Sequence, residues 1–325
     1  MCGRPGHYVM VLSDGTRPQF APPRRCACSR GAPVRSLTLP RWLRVVIAGA
    51  ALALLASCSF MELAWDRADE VIVERANDWL ALRPEQEEAL RARLEPWLEN
   101  VRHTMLPRYA DFLDELAART DSGGFEHGDA AWAQARLATL YDDTVRSMLP
   151  WLSAVLSDLD SAQRRHLAER MRQRNADYRS EYVVRSADER ERVLAERVIR
   201  QVERWTGPLD VRQKALVHRR AGDLPDTAGS WYHYRVRMQA GLLSRLDADA
   251  GAQPVAHHLE AWWVDLAARR PRQRRATEAL AGAIGHLLVD LGETLSATQT
   301  QAAVRRLHTV AADLRSLAAL SGADQ

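Results

Sequence analysis

The 325 residues carry 45 Lys+Arg against 42 Asp+Glu, a formal net charge of +3, and 46% of them are hydrophobic, with ten tryptophans. Eight arginines but only one acidic residue, Asp14, precede position 58, so the remainder holds 37 cationic and 41 anionic side chains, net −4. A nucleic-acid partner requires a basic face, and that basicity belongs to the N-terminal segment alone; the hydrophobic content also excludes an intrinsically disordered chain.

Residues 1–33 are rich in Pro, Gly and Arg, include Cys2, Cys26 and Cys28, and follow neither helical nor strand periodicity. Cys26-Ala27-Cys28 lacks Cys-x-x-Cys spacing and has no second pair, so the segment reads as an extension ahead of a true start near Val34. Secretory signals run 15–30 residues, and Arg35, Arg41 and Arg44 followed by the apolar run Val45 to Leu55 have that form. The run falls short of the about 20 residues that span a bilayer. It ends in Leu55-Ala56-Ser57-Cys58, the pattern of a bacterial lipobox. Cleavage is therefore expected after Ser57, with covalent lipid on Cys58 as the only bound group and no cofactor or metal. The chain divides into a signal-bearing segment, 1–57, and a periplasmic domain, 58–325. Stable anchoring takes more than one acyl chain, which a diacylglycerol thioether plus an N-acyl group supplies. Ser59, where Asp would signal inner-membrane retention, points to the outer membrane; the periplasmic face of the inner membrane is the alternative. No cysteine follows Cys58, so the domain holds together by packing, and its length allows a sizeable core.

Beyond Cys58 the apolar residues recur at threes and fours. Phe60 to Leu80 is predicted as a first helix. Pro84 to Arg119 is a second, with Pro96 and Pro107 expected to kink or break it. Gly123-Gly124 marks a loop. Asp129 to Leu156 is a third, with a bend at Pro150. Asp160 to Tyr182 and Ala187 to Trp205 follow, the latter opened by Ser186 and Glu189 in capping-box spacing. Gly207-Pro208 ends it. Asp210 to Ala221, Asp226 to Leu246, Pro254 to Ala268, Arg272 to Leu291 and Ser296 to Leu320 complete the chain. No segment alternates as a strand does. The expected fold is all-α, about ten helices in one elongated multi-helix domain.

One pattern recurs: Leu82 and Gln86, Leu159 and Gln163, Leu209 and Gln213, Leu295 and Gln299 form four Leu-x-x-x-Gln starts. Asp160, Asp210 and Ser296 fit as N-caps with a reciprocating Gln three residues on; at Arg83 the device differs, because Pro84 takes the first helical position. The preceding Leu fits a hydrophobic staple. The intervals of 77, 50 and 86 residues exclude a solenoid repeat.

The lipobox, the Leu82-Arg-Pro-Glu-Gln86 start and Leu106-Pro-Arg-Tyr-Ala-Asp-Phe-Leu113 together resemble a family of uncharacterised Gram-negative helical lipoproteins, a domain of unknown function. That resemblance covers residues 40–320; it implies a helical envelope lipoprotein and supplies no activity. The Leu-x-x-x-Gln starts are separately similar to the Leu-Thr-x-x-Gln motif of small periplasmic chaperones, although no Thr stands at the motif position here.

Catalytic patterns are sparse. Gly-x-Ser-x-Gly and His-Glu-x-x-His are absent. His286, Asp290 and Glu293 have ligand spacing but read as an exposed polar face; His257, His258 and Glu260 point mostly to different faces. Four consecutive ring-bearing residues, Trp231, Tyr232, His233 and Tyr234, cannot all face one core. With Arg235, Trp262 and Trp263 they form the candidate binding groove, since aromatic and Arg side chains concentrate at interfaces. The stretch from Arg170 to Arg204 alternates Arg with acids and reads as a solvated, ion-paired face. The expectation is a lipid-anchored, non-enzymatic protein binding a protein or glycan partner in the envelope. A chaperone-like protein and a cell-wall hydrolase are the alternatives.

Overall fold

A computed structural model describes residues 65, 67–122, 124–265 and 271–319; Ser57, Cys58 and the whole signal segment lie outside them. Among the described residues there is no strand, and no helix is long and apolar enough to cross a membrane. The described residues form eleven α-helices: α1 (Ala68–Leu80), α2 (Pro84–Asn100), α3 (Leu106–Asp121), α4 (His127–Ser157), α5 (Ser161–Tyr178), α6 (Ala187–Thr206), α7 (Val211–Gly222), α8 (Ala228–Asp247), α9 (Ala252–Trp263), α10 (Pro271–Gly292) and α11 (Ala297–Ala319). Two π-helical turns, π1 (Val101–Met105) and π2 (Arg179–Val183), extend α2 and α5. Because α2, π1 and α3 run without a gap, the described residues form ten helical rods.

The proline expectations divide. Pro96 and Pro150 lie inside α2 and α4, which continue through them. At Pro107 the helix yields without breaking. Proline offers no N–H to the fourth carbonyl before it, and the chain widens there into π1, with Leu106 N–H bonded to the Val101 carbonyl five residues back. The residues after this turn then reach α4: Arg108 pairs with Asp143 at 2.5 Å, and Tyr109 Oη meets Thr144 Oγ1 at 3.2 Å.

Three apolar clusters hold the helices. The largest joins α1, α2, α4, α5, α8 and α9 around Leu90, Leu94, Val145, Leu159, Leu246, Val255 and Leu259. A second lies between α3 and α11, where the fully buried Ala110 and Ala311 let the two helices approach closely. Its rim is tied by Arg315 to Asp111 at 2.8 Å and to Asp114 at 2.5 Å, and by His308 to Asp114 at 2.7 Å. Burial works to raise the Asp114 carboxyl, but hydrogen bonds from Arg315 and His308 outweigh it and hold it below the usual carboxylate range. The third cluster gathers Ala195, Ile199, Val217 and Leu291 from α6, α7 and α10, with Leu209 from the connection between α6 and α7.

The Leu-x-x-x-Gln starts cap their helices as expected: Asp160 and Asp210 accept from the N–H of Gln163 and Gln213 at 2.9 and 2.8 Å, and Ser296 from that of Gln299 at 3.2 Å. They also meet in pairs. Gln163 Nε2 donates to Gln86 Oε1 at 2.7 Å, and Gln86 Nε2 returns the bond at 3.3 Å. Gln213 and Gln299 exchange the same two bonds at 2.9 and 3.0 Å. Each Oε1 also accepts the N–H of its own N-cap residue, Arg83, Asp160, Asp210 or Ser296. Each Nε2 also reaches the backbone carbonyl five residues before its partner glutamine: Ala81 from Gln163, Asp158 from Gln86, Thr294 from Gln213, Pro208 from Gln299. Two pseudo-symmetric closures result. Leu82 and Leu159 belong to the first cluster beneath one, and Leu209 and Leu295 to the third beneath the other.

Candidate functional site

The seven residues of the expected aromatic groove do not stay together. Trp262 and Trp263 are 6% and 9% exposed and belong to the first cluster, because α9 also buries Val255 and Leu259 and is apolar on nearly every side. Tyr234 is buried and donates its hydroxyl to the Trp262 carbonyl at 2.9 Å; Trp231 packs half-buried on the same cluster. Trp262 and Trp263 thus line no groove, a correction to the sequence reading. His233 is exposed, Arg235 is buried, and Tyr232, half-exposed, alone faces an open depression.

That depression, of about 430 Å³, lies between α5–π2 and α8. From α5 come Arg172, Asn175 and Ala176, then Arg179 and Ser180 from π2, residues spaced three, four, seven and eight along one helical face. Val184 closes the end of π2, where its N–H bonds to the Arg179 carbonyl in the widened turn. Tyr232 and Val236, one turn apart, supply the α8 wall. Val184 is 63% and Val236 37% exposed, so the depression offers apolar surface to solvent at a place where π2 has already departed from regular helix geometry. Such departures are frequent at functional positions.

Behind it stands a stack of rings. Tyr178 and Tyr182 stack at 4.8 Å between centroids, and Tyr232 lies nearly parallel to Tyr178 at 6.4 Å. Arg197 sits over Tyr182 at 5.0 Å and Arg235 over Tyr178 at 5.7 Å, in the geometry of a cation–π contact. Burial, then the neighbouring Tyr182, pushes the Tyr178 phenol up to about 12. Burial likewise lowers the affinity of the Arg235 guanidinium for its proton, although an arginine stays charged in proteins.

The charge balance of this face is uneven. Arg174 pairs with Asp177 at 3.2 Å, Arg197 with Glu181 at 3.0 Å and Arg190 with Asp226 at 2.7 Å; Arg172 is bonded to Glu169. Among the described residues the side chain of Arg179 has no ion pair or hydrogen bond; Arg235 sits over the ring of Tyr178 with Asp177 nearby, and Arg237 sits over that of Tyr234. Asn175, 9% exposed, donates Nδ2 to Gln239 Oε1 at 2.6 Å and leaves Oδ1 without a partner. The sequence reading placed Arg172, Asn175 and Arg179 in a solvated ion-paired stretch; their joint face with Tyr232 and Val236 depends on α8 lying alongside, which no local pattern reports.

The other candidates find structural roles. His286 contacts His127, Nδ1 to Nε2, at 2.9 Å, while Asp290 pairs with Arg220 at 2.6 Å. Among the described residues no group of three His, Cys, Asp or Glu could hold a metal ion. His258 is buried and donates Nε2–H to the Met238 carbonyl at 2.8 Å; Glu260 pairs with Arg146 at 3.0 Å.

The described chain is thus an all-helical domain with one open, cationic, tyrosine-backed depression. It belongs to DUF6279, a family of unknown function, whose model matches residues 78–262. The match includes the whole depression and the Gln86–Gln163 closure, and stops short of Gln299. No curated protein matches the chain, and no solved structure does.

Proposed function

We propose that this chain is a lipid-tethered envelope protein that holds a partner in the depression between α5–π2 and α8. The lipid on Cys58 sets its position at the periplasmic side of the outer membrane, and the helices present the binding face. The observation that carries the reading is the concentration, at one open surface, of Tyr232, two solvent-facing valines and the Arg179 side chain, which has no acidic partner. Aromatic and Arg side chains around an apolar centre are the composition of an interface rather than of an ordinary surface. No carboxylate lines the depression, so it is not the acidic cleft that glycan hydrolysis requires. The Leu-x-x-x-Gln starts, which motivated a chaperone-like reading, are accounted for by paired helix closure.

The test places a photo-crosslinking residue at position 184 in cells and a control at Val211, which is 84% exposed on α7. A discrete adduct from 184 and none from 211, lost with Cys58→Ala, is the expected result. Identical adducts from both positions refute the site. Unchanged membrane association of the Cys58→Ala protein refutes the tether.

A further inference from the structure

We infer that residues 68–183 and 187–319 are two copies of one structural unit, joined head to tail, and that the copies exchange a helix, so that the chain is built as a helix-swapped dimer within one polypeptide. The elements match in order. Helices α1, α2, α3, α4 and α5 of the first copy correspond to α6, α7, α8, α10 and α11 of the second, and α9 is an insertion in the second. The packing matches as well. Helix α1 lies on α2 and α5 as α6 lies on α7 and α11; α2 lies on α4 as α7 lies on α10; α3 lies on α4 as α8 lies on α10. Both glutamine closures fall at the same two points of this scheme, the starts of α2 and α5 and the starts of α7 and α11. A sequence signal beyond the caps keeps the same register. Gln163 and Gln299 are 136 residues apart, and at that spacing Ala176-Asp177-Tyr178-Arg179-Ser180 lies over Ala312-Asp313-Leu314-Arg315-Ser316. Met171 and Leu307, equally spaced, are both buried, as are Tyr178 and Leu314. Along α2 and α7 the spacing is 127, which pairs the buried Leu90 with Val217 and Leu94 with Ala221. Helix capping accounts for the first turn of each helix and for none of these later matches.

The exchange lies in α3 and α8. Helix α3 belongs to the first copy yet packs along α11 of the second, and α8 belongs to the second copy yet packs along α5 of the first. Two units standing side by side would each keep that helix for themselves; a reciprocal crossing is how swapped protomers are joined. The two seams are therefore equivalent, and they have diverged. At the spacing of 136, His308, Ala311 and Arg315 of α11 stand where Arg172, Asn175 and Arg179 stand along α5 and π2. In the α3–α11 seam Asp114 holds His308 and, with Asp111, Arg315, beside the close approach of Ala110 and Ala311. In the α5–α8 seam the alanine is replaced by Asn175, which bonds Gln239, and α8 lines the depression with Tyr232 and Val236, neither of them a carboxylate. Arg179 lacks an acidic partner because it is the copy of Arg315 to which the facing helix supplies none. The depression is the space left at the looser copy of a seam that the other copy closes.

Two experiments on the full chain test the exchange and the equivalence of the seams. In the first, a specific protease site is inserted after Val184, in the connection between the copies, and the folded protein, tagged at its C-terminus, is cut there. Halves that hold one another's helices should both be retained through the tag in buffer and part only in urea, and the melting midpoint should fall on dilution after the cut but not before it. Release of the untagged half in buffer overturns the exchange. In the second, Val236→Asp returns a carboxylate to the α8 wall. Both Val236 and Arg179 are exposed, so each variant should keep the wild-type circular dichroism spectrum. In a double-mutant cycle with Arg179→Gln, Val236→Asp should show a favourable coupling of about two- to fivefold in the unfolding equilibrium constant, the range of an exposed ion pair, and added salt should reduce it. The control is His233→Asp, on the same helix at an exposed position that does not line the depression, and it should show no such coupling. Absence of coupling from Val236→Asp, or equal coupling from His233→Asp, overturns the equivalence of the two seams.

Discussion

Replacing Gln163 by Ala should cost far more than its polar side chain suggests. The residue is 4% exposed. It donates to the Ala81 carbonyl at 3.0 Å and Gln86 Oε1 at 2.7 Å, and accepts from Asp160 N–H at 3.1 Å and Gln86 Nε2 at 3.3 Å. Each such bond contributes about 1 kcal/mol net. Water reaches part of the site through the exposed Arg83–Asp160 rim, so the expected loss is about 2–4 kcal/mol rather than the full sum. Gln86→Ala should cost less, and the two changes together less than their sum, with a coupling of about 1–2 kcal/mol for the two direct bonds. The assay is urea unfolding followed by circular dichroism, with an unchanged slope required for comparison. Gln173→Ala, on the exposed side of the same helix, is the control and should stay within about 0.5 kcal/mol. A Gln163→Ala effect no larger than the control, or a coupling indistinguishable from zero, refutes the closure as a source of stability. Gln163→Glu adds a sign test. An ionised carboxylate faces the Ala81 carbonyl without a proton to give, so its pKa rises on folding. The variant should approach wild-type stability below the unfolded Glu range and lose it as pH rises through the folded value.

Asp114 makes the opposite pH prediction. Its folded pKa lies below the unfolded one, so its contribution is present above the unfolded value and disappears as pH falls through the folded value. Asp114→Asn should therefore be less stable than wild type at pH 7 and converge with it in acid denaturation. A deficit independent of pH counts against the ion cluster. Gly241→Ala would place a Cβ 2.7 Å from Cε1 of His258, which is pinned to the Met238 carbonyl. The overpacking should exceed the helix-propensity gain and leave a net loss of about 1–2 kcal/mol in the same urea assay; a stabilised variant would show that α8 and α9 separate freely.

Helix identity and most boundaries were legible because local chemistry writes them. Asp160, Asp210 and Ser296 cap where the sequence places them, and Gly207, at φ +79°, ends α6 before Pro208. The π turns were not legible, since one extra residue in a turn leaves no mark in a window averaged over several turns. The glutamine pairing was half visible. The intervals of 77, 50 and 86 residues fail as a repeat, yet the two long ones are those that pair. Only the fold shows that the middle interval separates two closures. The aromatic cluster misled for a related reason: adjacent Trp262 and Trp263 suggest two faces, and α9 buries both. In the arginine-rich stretch, Arg170 and Arg197 do find the carboxylates of Asp78 and Glu181. Arg179 does not, and that difference is set by the helices alongside it.

The family match ends at residue 262, yet the packing it contains does not close there. Gln213 lies inside the match and sends Nε2 to Thr294 and Gln299, both outside it. The buried faces of Leu106 and Ala110 are covered by Val310, Ala311 and Leu314 of α11. A chain ended after Asp265 would uncover Leu106, Leu209 and Val217, each worth about 1.5–3 kcal/mol when fully exposed. It would also leave the second closure with one glutamine. The first cluster and the Gln86–Gln163 closure draw on helices that all precede that point. Loss of order should therefore be local. Hydrogen exchange should show α3, α6 and α7 unprotected in the truncated chain while α2, α5 and α8 keep slow amides. A truncated chain that protects α6 and α7 as the intact one does would show that the matched region folds by itself and that the second closure is dispensable. Uniform loss of protection would show instead that the two closures belong to one cooperative unit.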